Sequence, residues 1–233
     1  MSSGFAAISR PRDLLGKTVL TVQSDDGVRD LRKGEATRER ILAVAEAMVL
    51  AQGFGATSID GIIAEAGLTK SGFFYHFRDK TELAREMLRR YIAVNDRLFD
   101  DLHVRASEMG DDPLEVLLIW LKLLAGTMRD LPHGHPGCLI ASICYEERQF
   151  DREVREIATE AVGSWNDRVL RYLGEVAAVH PLRPGLDIRT LARMMSCVVD
   201  GGIIMSKTLD DPLELERQIL AYRAFIRLAF TLT

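Results

Sequence analysis

The sequence predicts an all-α protein: a small three-helix head near the N-terminus, joined by a long fourth helix to a larger helical body. Three observations lead there. Ala, Leu, Ile, Met, Arg and Glu are plentiful while only 7 of the 233 residues are Pro, a balance that favours helix. Apolar residues recur at three- and four-residue spacing along most of the chain, and no sustained strand-type alternation competes with them. Turn signals such as DDP (111–113), LPHGHPG (131–137), HPLRPG (180–185) and DDP (210–212) divide the body into helix-length pieces.

Residues 1–33 show no helical apolar period and contain Gly4, Pro11, Gly16 and Gly27. They are expected to form a disordered extension. KTVLTVQ (17–23) has strand character but no pairing partner nearby, and Arg10, Arg12, Lys17, Arg32 and Lys33 would suit a DNA-contacting arm. The head is expected over 34–80 and the body over 81–233. The first helix reads from about Thr37 to Gln52, with Ile41, Val44, Ala45, Met48 and Val49 on one face and Gly53 as its stop. Thr57 is the expected N-cap of helix two, with Asp60 three residues on. Ile59, Ile62 and Ile63 face inward and Gly67 ends the helix. Thr69 caps a two-turn third helix that ends at His76, with Phe73 and Phe77 read as core. Asp79 caps helix four, with Glu82 three residues later. Its apolar stripe runs through Leu83, Met87, Leu88, Tyr91, Val94, Leu98 and Leu102, a length of about 28 residues. Further helices are expected near 112–130, 137–148, 151–178, 187–208 and 212–232.

TSIDGIIAEAGLTKSGFFYHFRDK (57–80) therefore reads as two short helices, a tight turn and a basic loop. This is the layout of a helix-turn-helix, which places its second helix in the DNA major groove. Charge argues mildly the other way. The net charge is −4, and residues 34–80 hold five Lys/Arg against six acids. A footprint on phosphates must come from placement, with Lys70, Arg78 and Lys80 close in sequence.

The stretch TRERILAVAEAMVLAQGFGATSIDGIIAEAGLTKSGFFYHFRDKTELAREML (37–88) resembles the DNA-binding domain of TetR-type transcriptional regulators. The resemblance is carried by the Ile-Leu-x-x-Ala first helix, the Gly-Phe turn, Thr-Ser-Ile, the Ala-Gly-Leu-Thr turn, Tyr-His-Phe and the Lys before helix four. GCLIAS (137–142) is similar to the start of a middle helix seen in many members. The resemblance implies that Lys70, Ser71, Gly72, Phe74, Tyr75 and His76 touch DNA, that His76 and Lys80 clamp phosphates, and that Thr57 and Ser58 contact phosphate or base. Two positions depart from the pattern. Phe74 stands where members often carry Tyr and lacks its hydroxyl. Asp60 places a carboxylate where a basic or neutral polar residue is common.

For the body, the resemblance implies that the last two helices pair with their copies in a homodimer, as a four-helix bundle. The expected interface is Val198, Gly202, Ile203, Ile219, Tyr222, Phe225 and Ile226. It also implies a pocket for a small-molecule effector, with Trp120, Leu124, Met128, Leu139, Cys144, Tyr145, Trp165, Met194 and Asp200 as candidate walls. Asp200 is the odd residue, charged within the apolar run MMSCVVDGGIIM, and fits either a polar effector group or the dimer seam. His133, His135 and Cys138 cluster in HGHPGC, but a loop explains them as well as a metal site does. No motif calls for a cofactor or a metal.

Nothing resembles a nucleophile elbow, a phosphate-binding loop or HExxH, which argues against an enzyme. The acidic head keeps one other class in view, an adaptor using the helix-turn-helix for protein contact. The expected function is a homodimeric repressor that leaves a palindromic DNA operator when an effector binds. Cys138, Cys144 and Cys197 form no paired framework, and no apolar run reaches ~18–20 residues uninterrupted. A cytoplasmic protein with reduced thiols and no membrane contact is expected.

Overall fold

A computed structural model describes residues 26–230, with side chains described from residue 33. The chain runs α1 (Asp26–Gln52), α2 (Ile59–Glu65), α3 (Lys70–His76), α4 (Lys80–Ser107), α5 (Pro113–Arg129), α6 (Leu139–Tyr145), α7 (Arg152–Val179), α8 (Ile188–Thr208) and α9 (Glu214–Ala229). The β-structure among the described residues is a single isolated bridge, Leu182 with Phe230. The all-α expectation holds. The expected 137–148 helix is split, with α6 ending at Tyr145 and a short 3-10 turn over Glu147–Gln149.

The other departure is the start of α1, eleven residues before Thr37. Apolar periodicity marks only the part of a helix that is buried. The segment 26–36 carries Arg29, Leu31, Arg32, Lys33 and Glu35, all good helix formers, and no Pro. The rest of the expected extension, including KTVLTVQ, Arg10, Arg12 and Lys17, lies outside the described residues, as does the side chain of Arg32.

Turn chemistry sets the head. Gly53 (φ +84) and Gly67 (φ +62) take the left-handed conformation that ends α1 and α2, a region costly for any side chain. Thr69 Oγ1 accepts from Gly72 N at 3.1 Å to cap α3, and Asp79 Oδ1 accepts from Glu82 N at 2.8 Å to cap α4. The cap of α2 is a correction. It is Ser58, whose Oγ accepts from Gly61 N at 3.0 Å. Thr57 is 1% exposed and donates its hydroxyl to Gly53 O at 2.8 Å, closing the preceding turn.

Two hydrophobic clusters organise the molecule. One joins α1–α3 to the first three turns of α4, to α6 and to the start of α7, through residues such as Ile41, Ile62, Phe73, Leu83, Ile143 and Val154. The other joins the far half of α4 to α5, the far half of α7, α8 and α9, through Leu102, Leu121, Leu173, Leu191 and Ile226. The clusters do not part at residue 80. One helix and two 7-residue helices are too small a unit to bury their own apolar faces, so the head borrows α4, α6 and α7. Ion pairs reinforce this: Arg90 reaches Glu46 at 2.6 Å and also Glu39, Arg38 reaches Glu86, and Arg85 reaches Glu153 at 3.0 Å. At the far end His180 Nε2 lies 2.6 Å from Asp112 Oδ2, tying the end of α7 to the cap of α5.

Candidate nucleic-acid interface and effector cavity

Helix α3 is only 7 residues long and strictly two-sided. Phe73 is fully buried and Phe77, just past the helix end, is 1% exposed, their rings 5.8 Å apart, as the sequence indicated. On the other side Tyr75 is 83% exposed and Phe74 is 42% exposed. Lys70 and Ser71 are exposed at the N-terminal turn, where Ser71 Oγ lies 3.1 Å from Thr69 Oγ1. Lys70, Ser71, Phe74 and Tyr75 thus share one open surface, joined by the exposed Ser58 at the start of α2. A large exposed aromatic beside a lysine and a small hydroxyl residue is costly to leave in water without a partner, and it suits groove contact.

The geometry revises four expected contacts. Thr57 is sealed in the α1–α2 turn and has no exposed hydroxyl to give a phosphate. Gly72 gives its N–H to the α3 cap, so its part is to keep that helix end small. Lys80 points inward: its Nζ donates to Phe54 O and sits 4.0 Å from the centre of the Phe54 ring. Burial lowers its pKa. The sequence placed Lys80 next to a cap but could not show which way the side chain turned. His76 is half-buried, and burial together with nearby Arg38 holds it below the ordinary histidine value. At neutral pH it offers a hydrogen bond, without the charge of a clamp. Asp60, the unusual carboxylate, lies 3.6 Å from Lys70 Nζ, with both groups well exposed. This pair is weak in water and leaves Lys70 easily drawn to a phosphate. Arg78, grouped with Lys70 and Lys80 in the expected footprint on phosphates, is exposed in the loop after α3 and anchored by Glu82, which accepts from its N at 2.8 Å and its Nε at 3.1 Å.

At the junction of the two hydrophobic clusters lies a cavity of about 840 Å³, its open mouth included. Trp120, Leu124, Met128, Trp165 and Asp200 line it as expected. Leu139 is buried in the core beside it, Cys144 and Tyr145 are exposed, and Met194 lies on the outer face of α8, so none of these four is a wall. Helix α6 is short, and its far end projects to the surface instead of continuing along the cavity. Tyr91, Phe99, His135, Cys138 and Arg168 are walls that the sequence reading missed. Tyr91 fell on the α4 stripe and read as core, and only the crossing of α4 over α7 shows that its ring and that of Phe99 border a space.

Asp200 faces this cavity. The Cys138 thiol lies beside its carboxylate, with the Tyr91 hydroxyl close to the same thiol. Burial, with Asp200 beside it, pushes the Cys138 thiol up to about 12, so it remains a thiol and not a reactive thiolate. His135 accepts from Gly137 N on Nδ1 at 3.2 Å, leaving its proton on Nε2. Burial, and then Lys207, lower its pKa to about 4. Among the described residues no group of three or more His, Cys, Asp or Glu side chains is placed to hold a metal, and His133 is exposed away from the cavity.

The His135 shift carries a stability prediction. A histidine held below its unfolded value of 6.5 leaves stability whole above that pH. Stability is then lost as the pH falls toward 4, because the unfolded chain takes up a proton that the folded one refuses. Urea titrations of wild type and His135→Gln should differ between pH 6.5 and 4.5 by up to about 1.4 kcal/mol per pH unit, wild type falling faster.

The last two helices also differ from the expected layout. Ile203, Ile219, Tyr222 and Ile226 are buried within the chain, and Tyr222 Oη donates to Leu191 O at 2.8 Å. Gly202 serves the α8–α9 contact, since a Cβ there would meet Leu215 Cδ1 at 2.9 Å and its Cα at 3.2 Å. Val198 is partly buried against the same core. Only Phe225 of the expected set is exposed. The open apolar face runs instead through Met194, Cys197 and Met205 on α8 and through Leu220, Phe225 and Leu228 on α9. A periodic stripe marks a buried face without saying whether its cover lies in the same chain.

Family models match at both ends of this architecture. Residues 41–87 match the model described as "Bacterial regulatory proteins, tetR family", and residues 120–222 match "Tetracyclin repressor-like, C-terminal domain". The chain belongs to the TetR family of transcriptional regulators. Similar curated proteins include the uncharacterized HTH-type transcriptional regulator YxaF of Bacillus subtilis, 25% identical over 75% of this chain and 87% of that protein. The HTH-type transcriptional regulator TtgR of Pseudomonas putida is 26% identical over 80% of this chain and 88% of its own length. Among solved structures, a TetR transcriptional regulator from Chloroflexus aurantiacus superposes with a TM-score of 0.70 at 24% identity, covering 87% of this chain and all of that one. At that identity it speaks to the fold. This TetR-family chain is thus a DNA-binding regulator, and its head is the part that the family model and the α3 surface both mark. No helix among the described residues is long and apolar enough to cross a membrane.

Proposed function

We propose that this TetR-family regulator works as a homodimeric repressor that an effector in the α4–α8 cavity releases from a palindromic operator. The observation that carries this reading is continuity between cavity and head. Cys138 and Ile140 at the start of α6 border the cavity. Just past the end of α6, Glu146 accepts from Phe54 N at 2.8 Å and from Gly55 N at 2.9 Å, gripping the α1–α2 turn of the head. A 7-residue helix spans about 10 Å, so a ligand that displaces its start moves a group bonded to the head. The exposed apolar face of α8 and α9 supplies a surface for a second copy, and two short recognition helices must act together to read a useful length of DNA.

The test is selection of random duplex DNA on the purified full chain at ~150 mM salt. Enrichment of a palindrome with half-sites about 34 Å apart supports the reading. Enrichment of nothing, together with salt-independent binding, would instead favour a protein-binding role for the head. Glu146→Gln tests the coupling. It should leave operator affinity in the absence of effector within about threefold while reducing the effector-induced loss of affinity by about tenfold, since coupling energies run to about 1–3 kcal/mol. Equal release of variant and wild type would remove Glu146 from the path.

A further inference from the structure

The polar groups of the cavity wall are nearly all matched within the protein. Trp120 Nε1 donates to Phe99 O at 3.2 Å, and Trp165 Nε1 donates to Asp96 Oδ1 at 3.2 Å. Asn95 Nδ2 donates to Tyr91 O at 2.9 Å, and Ser196 Oγ lies 2.9 Å from Asn166 Oδ1. The two indoles are therefore fixed by bonds outside the cavity and present it with π-surface alone. Arg168, the one Lys or Arg on the wall among the described residues, is matched by two carboxylates, Asp96 at 3.2 Å and Asp100.

Asp200 is the exception. Among the described residues it has no ion-pair partner, and the polar group beside it is the weakly donating thiol of Cys138. A carboxylate has room for about four donors. One weak thiol donor leaves most of that capacity open inside an apolar space, an arrangement costly to keep without a partner. Arg168 is thus occupied by its own two carboxylates and does not answer Asp200. Around the cavity stand Tyr91, Phe99, Trp120 and Trp165, with ring centres 6.0–6.5 Å apart along an edge-to-face chain. Such rings attract cations through their negative faces, most strongly where water is excluded.

Resting on the reading that this cavity is the effector site, we propose that its effector is an apolar organic amine or ammonium ion whose cationic head pairs with Asp200 and whose body packs on the Phe99–Trp120–Trp165 wall. The Cys138 thiol stands beside the carboxylate, and His135, with its proton on Nε2, lines the same cavity. Burial raises the Asp200 pKa in the empty protein. A cation bound beside it favours the ionised form, so ligand and carboxylate stabilise one another.

Both tryptophans of the chain, Trp120 and Trp165, line the cavity, so intrinsic fluorescence reports directly on its occupancy. Three probes of nearly equal shape separate charge from apolar burial: phenylbutylamine, phenylbutanol and phenylbutyrate, titrated into the full-length protein. The amine should bind at least about tenfold more tightly than the other two, the scale of one charge-assisted hydrogen bond. Asp200→Asn, checked for an unchanged melting profile, should bring the amine down to the affinity of the alcohol and leave the alcohol within about twofold. If the alcohol or the carboxylate binds as well as the amine, or if Asp200→Asn keeps the preference, the charge proposal fails while the cavity reading stands. If no probe alters the fluorescence at millimolar concentration, both fail.

Discussion

Phe73→Ala should cost about 3–5 kcal/mol of stability, the range for emptying a fully buried aromatic site, whereas Tyr75→Ala, two residues along the same helix, should cost less than about 0.5 kcal/mol. The contrast follows from α3 being two-sided. Phe73 is fully buried, packed edge-on to Phe74 with ring centres 5.3 Å apart and against Phe77. Removing it leaves a void that a 7-residue helix, held at its start by Thr69, is poorly able to close. Tyr75 is 83% exposed and its ring meets only His76 edge-on, at 5.0 Å. For DNA the order reverses. Tyr75→Ala should lower affinity for the selected operator by about tenfold or more, the scale of one well-made base or sugar contact. It should do so at any temperature where the protein is folded. Phe73→Ala should bind in proportion to its folded fraction. Urea unfolding read beside operator titration checks both. A Tyr75→Ala protein with full operator affinity would remove α3 from the reading surface.

The second large effect concerns the exposed face of α8 and α9. Leu220→Arg combined with Leu228→Arg should give a monomer by light scattering and reduce operator affinity by about 100-fold or more. Two linked heads bind with an effective concentration that separate heads lack. Leu228 is 65% exposed and Leu220 is 37% exposed, so neither substitution opens the core of the single chain. Burying two unpaired guanidinium groups against their copies is what breaks the pair. The contrasting variant is Ile226→Ala. Ile226 is fully buried in the body core, so its loss should cost about 2–5 kcal/mol of stability with no direct effect on the paired surface. A dimer that survives the double arginine would place the partner surface elsewhere.

The apolar spacing and the turn residues by themselves determined the helical class, the two-turn α3 with Phe73 and Phe77 inward, the caps at Thr69 and Asp79 and the 28-residue α4. All of these are local: an N-cap, a left-handed glycine and a 3.6-residue stripe act within one or two turns of chain. The family pattern was legible for the same reason, because its spacings sit inside 37–88. Tertiary structure decided what a side chain meets once helices cross. It turned Lys80 onto Phe54 and sealed Thr57 under the α1–α2 turn. It set Ile203, Ile219, Tyr222 and Ile226 against their own chain, leaving Leu220 and Leu228 outside. It brought Tyr91, Phe99, His135, Cys138 and Asp200 into the wall of one cavity, and carried Glu146 to a head turn more than 90 residues away in sequence. A stripe records that a face is covered, and a charge records that it needs a partner. Which face covers it and which partner answers depend on contacts between distant segments, which exist only once the helices are packed.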